Sequence, residues 1–310
     1  MLGAMKSERG VATLFALVTA ILWGLSFISS KVSLEAVPPM TLGGLRFLIA
    51  IAALGLFYAV KVKKGTSRLP ELRDLWRLGA SGFLGTTLYF LFENNGLLFL
   101  PAGNAALVIG AIPVATLIVE RFMKGTRFRL VQVLGIVMSS AGIVLLVWKS
   151  VADAAGDPDS VASPWGYLLM AGAAASWVGY NLLTEPLSPK YDRLTVTFWQ
   201  SVAGFAGFVP FALAESGAWK PMDAVVWLNV LYLALLCSAL GYLLYVSALQ
   251  TLGPTIPSVF INLIPVISAI GGALLLGERQ PPIAIAGGAV TVAGVYMATL
   301  GRKIELEPHG

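Results

Sequence analysis

The chain has 310 residues, of which 57% are hydrophobic and 12% charged. A soluble domain carries about 25% charged residues, so this composition excludes a water-facing globular surface. The net charge of +5 follows the loops and is not gathered into a nucleic-acid patch. One cysteine, Cys237, excludes an internal disulfide, and one histidine, His309 near the C-terminus, leaves no histidine for a metal site or proton relay inside a membrane.

Ten apolar spans are predicted, at 11–32, 39–61, 76–99, 102–123, 128–149, 164–187, 194–214, 224–250, 255–277 and 282–300. Each is near the ~20 residues that cross a bilayer as a helix, which predicts an all-α polytopic membrane protein; a β-barrel would show ~10-residue alternating segments instead. The first span lacks an Ala-x-Ala cleavage site and reads as a retained helix, not a signal peptide. In it Trp23 and Phe27 stand four residues apart and share a face. The second carries Arg46 in "GGLRFLIA"; it is expected to be structural, bonding Glu93, backbone carbonyls or a lipid phosphate. The third holds "LYFLFENNGLLFL", where Tyr89 and Glu93 share a face. A carboxylate cannot face hydrocarbon cheaply, so Glu93 should face protein or a watered path.

Pro113 interrupts the fourth span and frees a backbone acceptor near Ile109. It reads either as a static kink or as a hinge that lines a cavity. Gly135, Ser139 and Gly142 of the fifth span form a small-residue stripe suited to close helix packing within the chain, with a dimer contact as the alternative. Residues 151–163, with "DAAGDPDS", read as a solvated linker. Trp177 and Asn181 share a face of the sixth span, and Gly241 and Tyr245 a face of the eighth. Asn262 and Pro265 lie in the ninth, and Gly287, Thr291 and Gly294 form the stripe of the tenth.

Shifted by 152 residues, "IGAIPV" (109–114) falls on "INLIPV" (261–266), Gly135 on Gly287 and Gly142 on Gly294. Gly110 then meets Asn262, Tyr89 meets Gly241 and Glu93 meets Tyr245. A shift of 154 brings Trp23 onto Trp177 and Phe27 onto Asn181. The chain therefore divides into a first repeat (1–150), the linker, a second repeat (164–301) and a tail (302–310). Five spans per repeat force the halves to insert in opposite directions, as in many secondary transporters. With the N-terminus inside, sixteen Lys and Arg fall in inner segments and four (Lys31, Lys149, Lys220, Arg279) in outer ones. The charge rule thus puts both termini in the cytoplasm.

"AILWGLSFISSKVSL", "LGGLRFLIA" and "PAGNAALVIGAIPVATLIVE", with "SALGYLLYVSALQTLGPTIPSVFINLIPVISAIGGALLLGE", resemble EamA-type members of the drug/metabolite transporter (DMT) superfamily over nearly the whole chain. Among these the chain is most similar to the YddG-type amino-acid exporters. The first half departs from the family: no acid follows Pro113 at the spacing Glu278 keeps from Pro265. The resemblance implies two inverted five-helix repeats and a central cavity. The matched residues Trp23, Phe27, Tyr89, Glu93, Trp177, Asn181, Tyr245 and Asn262 are the candidate substrate contacts, with Pro113 and Pro265 as hinges and Arg46, Gly135 and Gly287 as structural residues.

No Walker A motif, H-E-x-x-H motif or membrane-depth aspartate pair is present. The expectation is a secondary transporter, not an enzyme, with no cofactor and no metal, exporting small metabolites by alternating access. Amino acids, aromatic and apolar ones included, are the expected substrates; another metabolite or drug-like compound is the alternative, ahead of a non-transporting assembly protein. The expected partners are a small molecule and the lipid of a bacterial inner membrane, with no nucleic acid. Oligomeric state is not fixed by these features.

Overall fold

The structure, a computed structural model, describes residues 2–97, 99, 108–125, 127–156, 163–276 and 281–303. Among the described residues the helices fall into ten consecutive segments. The first five are α1 (Leu2–Leu34), α2 (Pro39–Lys63), a third built of α3 (Leu72–Gly82), a π-helical stretch Phe83–Leu88 and α4 (Tyr89–Leu97), then α5 (Ile112–Lys124) and α6 (Leu130–Gly156). The second five are α7 (Pro164–Thr184), α8 (Arg193–Ala214), an eighth built of α9 (Ala224–Leu231), a π-helical stretch Tyr232–Gly241 and α10 (Tyr242–Leu252), then α11 (Thr255–Ile261) with α12 (Leu263–Leu276), and α13 (Pro282–Lys303). Six stretches among the described residues are long and apolar enough to cross a membrane: Glu8–Leu34, Pro39–Lys63, Leu130–Trp148, Arg193–Ala214, Ala224–Leu252 and Pro282–Leu300. The protein is an all-α polytopic membrane protein of two repeats.

Two differences from the sequence reading stand out. α6 is helical through "KSVADAAG" up to Gly156, so the first residues of the expected linker continue the helix. Residues 157–162 of the linker, and Glu278 with its neighbours, lie outside the described residues. The proline spans are also interrupted rather than kinked. Gly110 and Ala111 form a turn before α5, and Asn262 forms one between α11 and α12. Pro113 and Pro265 thus sit in the first turn of a new helix, where the missing N–H is harmless.

The chain divides into two compact units, Met1–Leu91 with Gly179–Gly253, and Phe92–Val178 with Pro254–Gly310. In the first unit, α2 packs on α8. Glu215, just past the end of α8, accepts from Thr41 N at 2.7 Å, Met40 N at 3.3 Å and Thr41 Oγ1 at 2.8 Å. A carboxylate therefore caps the amide-rich start of α2. At the opposite ends of these helices, Asp74 accepts from Lys190 Nζ at 2.9 Å and from Tyr191 Oη at 2.8 Å. The Lys190 hydrogen bond first, then that of Tyr191, hold the Asp74 carboxyl below its ordinary range against the cost of burial. Asp192 caps α8 by accepting from Leu194 N at 3.0 Å. The start of the second span thus lies at the end of the seventh, so these repeat partners run antiparallel.

The second unit shows the same inversion. α6 packs along α13, and a Cβ added to Gly135 would lie 2.3 Å from Ala298 N. One added to Gly142 would lie 2.4 Å from Thr291 N, and one at Gly287 would lie 2.3 Å from Leu146 N. Partner numbers fall along α13 as they rise along α6, as in an antiparallel pair. The backbones are close enough that only glycine fits, which places the stripe inside the chain.

Candidate substrate site

In the first unit the aromatic residues are organised by the π-helical stretches. A π-turn bonds to the fifth residue and shifts backbone carbonyls out of the α-helical ladder. Side chains from other helices meet these carbonyls. Tyr242 Oη donates to Gly85 O at 2.9 Å, Trp23 Nε1 donates to Cys237 O at 3.0 Å, and Thr19 Oγ1 donates to Gly241 O at 3.3 Å. Gly85 admits the Tyr180 ring, because a Cβ there would lie 2.4 Å from it. Trp23 then lies 5.2 Å from Tyr242 and 5.4 Å from Tyr245, and Tyr180 lies 6.2 Å from Tyr245, between ring centroids. Tyr245 Oη donates to Asn181 Oδ1 at 3.0 Å.

Three sequence-predicted residues, Trp23, Asn181 and Tyr245, are therefore brought together, with Trp23 the partly exposed member. Tyr180 and Tyr242 join them without having been singled out. Their signal was a ring three residues from Trp177 and three from Tyr245, one helical turn away. Tyr89 stands 5.4 Å from Phe90, and the Arg46 guanidinium lies 5.3 Å over the Phe90 ring. Arg46 Nε donates to Ser238 Oγ at 3.2 Å, so this 7%-exposed cation is anchored to the second π-helical stretch. Phe27 follows Trp23 by one turn of α1; its side chain is not among those described.

Glu93, Trp177 and Asn262 belong to the second unit. Glu93 is half-buried on α4 and Trp177 is buried on α7. Asn262, at the break of the ninth span, donates through Nδ2 to Ser139 Oγ at 3.0 Å. Ser140 Oγ donates to Gly110 O at 3.0 Å, across the break of the fourth. Below the breaks, buried Glu120 accepts from Thr255 Oγ1. Among the described residues no group of three His, Cys, Asp or Glu is placed to hold a metal ion. The aromatic groups offer stacking faces, hydroxyls and amides, but no set of nucleophile and base.

The EamA-like transporter family matches residues 10–148 and 164–300. A probable terminal-alkyne amino-acid exporter of Streptantibioticus cattleyicolor is 29% identical over 99% of both chains. A probable amino-acid metabolite efflux pump of Salmonella typhimurium is 27% identical over 93% of this chain and 95% of that one. A crystal structure shares the fold with a TM-score of 0.75 at 24% identity, covering 96% of this chain and 99% of that one.

Proposed function

We propose that this chain, which belongs to the EamA-like transporter family, exports amino acids, apolar and aromatic ones included, by alternating access. The observation that carries the substrate class is the first unit's ring array of Trp23, Tyr180, Tyr242 and Tyr245. It presents the partly exposed Trp23 indole, backed by the buried Tyr180, Tyr242 and Tyr245 rings, with few fixed charges, which suits a small zwitterion with an apolar side chain. A polyanion would call for clustered Arg and Lys, whereas Arg46 is the buried cation beside these rings. Relatives described as amino-acid exporters and efflux pumps support the same class.

Within the first unit the proposed substrate contacts are Trp23, Phe27, Tyr89, Asn181 and Tyr245; within the second they are Glu93, Trp177 and Asn262. The interrupted helices at Pro113 and Pro265 are the proposed moving parts, since broken spans change shape at low cost. The sixteen-to-four split of basic residues supports cytoplasmic termini. The test is flux into and out of liposomes carrying the purified protein. Leucine, phenylalanine and alanine should cross faster than into protein-free vesicles, and Trp23→Ala should change their relative rates. Transport of sugar phosphates or nucleotide sugars with no flux of any amino acid would overturn the proposal.

A further inference from the structure

The two helix breaks of the second unit are tied to one pair of serines on α6. Asn262 Nδ2 donates to Ser139 Oγ at 3.0 Å and to Ser140 Oγ at 3.4 Å. Ser139 Oγ donates onward to Ile136 O at 2.9 Å, and Ser140 Oγ to Gly110 O at 3.0 Å. Every N–H and O–H of these three side chains is thereby used. The acceptors are not. Asn262 is 0% exposed, and its Oδ1 has no hydrogen-bond partner among the described residues. Pro113 and Pro265 have no N–H to offer the Ile109 and Ile261 carbonyls across the breaks. With the Asn262 amide turned over, both hydroxyls would have to leave their backbone carbonyls to donate to Oδ1, and Nδ2 would stand without an acceptor in its place.

A buried cluster with its donors exhausted and an oxygen left over calls for a donor from outside the chain, a water or an ammonium, or for a metal cation. Carboxamide, hydroxyl and broken-helix carbonyl oxygens are hard ligands of the kind that hold cations in transporters. No carboxylate belongs to the cluster, so a divalent ion would be left uncompensated and a single charge fits. The repeat makes the site unique: the counterpart of Asn262 is Gly110, which has no side chain, and the counterpart of Ser139, Thr291, donates to Gly287 O at 2.9 Å.

We propose that Asn262 and the helix breaks around it form a binding site for a small monovalent cation, either an alkali ion or the primary ammonium group of the transported molecule. The ammonium source rests on the amino-acid reading above, and the alkali source is independent of it.

Thermal unfolding of the purified full chain, at constant ionic strength in the chlorides of sodium, potassium, methylammonium and N-methylglucamine, tests this. At least one of the three small cations should raise Tm saturably, by about 2 °C or more over the bulky N-methylglucamine. Asn262→Gly copies the residue that the first repeat carries at its own break, and should fold while losing the rise. Ser140→Ala leaves Asn262 in place and should move the half-saturation point up by roughly tenfold, the worth of one good ligand. A rise with sodium or potassium assigns the site to an alkali ion; a rise with methylammonium alone assigns it to a primary ammonium group. The same Tm in all four salts, or an undiminished rise in both variants, would overturn the proposal. Amino-acid flux into liposomes is read separately, so its absence would sink the substrate reading and leave the alkali result standing.

Discussion

Replacing Trp23 by phenylalanine separates two things the indole does. A six-membered ring remains to stack against Tyr242 and Tyr245, whose centroids lie 5.2 and 5.4 Å away. The Nε1–H that donates to Cys237 O at 3.0 Å is lost. Cys237 lies in the middle of the π-helical stretch and is 0% exposed, so water does not reach its carbonyl as a substitute. An unsatisfied buried acceptor costs about 1–3 kcal/mol, although hydrogen bonds between membrane helices average nearer ~0.6 kcal/mol. The smaller ring leaves a void that adds about 1 kcal/mol. The expected destabilisation is therefore about 2 kcal/mol, or roughly 3 °C in Tm for a chain of this length. Thermal unfolding in detergent reads the Tm, and liposome flux reads transport. If the π-helical carbonyl depends on the indole, Tm falls even where substrate preference hardly moves. An unchanged Tm would refute that dependence and leave Trp23 only its stacking face.

Gly142→Val should prevent α6 and α13 from closing, because its Cβ would meet Thr291 N at 2.4 Å; monodisperse yield should collapse, while Gly79→Ala, with nothing within 4 Å of its Cβ, should express normally. The Asp74 carboxyl is held below its ordinary value of 3.8 by Lys190 and Tyr191. Its stabilisation is therefore present above that pH and is lost as pH falls through the lower folded value, so Asp74→Asn should lower Tm at neutral pH and flatten its fall on acidification. In a Cys237→Ser background an impermeant thiol reagent should reach Ala155→Cys and Gly217→Cys from outside intact cells, but not Lys64→Cys or Gly125→Cys; the reverse pattern would invert the orientation. Glu93→Gln should abolish any pH dependence of flux if that carboxylate carries a proton, with yield unchanged; lost yield with unchanged pH response would make it a packing residue.

The positions of the spans were legible because a bilayer demands long apolar runs, and the repeat was legible because one proline pair and two glycine pairs keep one offset. The π-helical stretches were not. A π-turn differs from an α-turn by where one N–H points, and "FLGTTL" and "YLALLCSALG" carry no composition that says so. With the π-turns hidden, the hydrogen bonds of Trp23 and Tyr242 to them were hidden too. The helix faces of Trp23, Asn181 and Tyr245 could be read from spacing alone, but not that Tyr180 would enter beside Gly85. Pro113 and Pro265 announced a disturbance in their spans. That each begins a new helix depends on Gly110 and Asn262 adopting turns, and on the Ser139–Ser140 pair that steadies both.

The division into units cuts across the division into repeats, and this bears on how the protein is made. Each unit draws helices from both halves of the gene product. Gly135 and Gly142 leave the ribosome long before Gly287 and Gly294, the residues whose backbone they touch. At about 5–20 residues per second, the 152 residues between Gly135 and Gly287 take roughly 8–30 s to synthesise. Throughout that interval α6 sits in the bilayer with a bare glycine groove facing lipid or the insertion machinery. A half-length product would keep that groove open permanently.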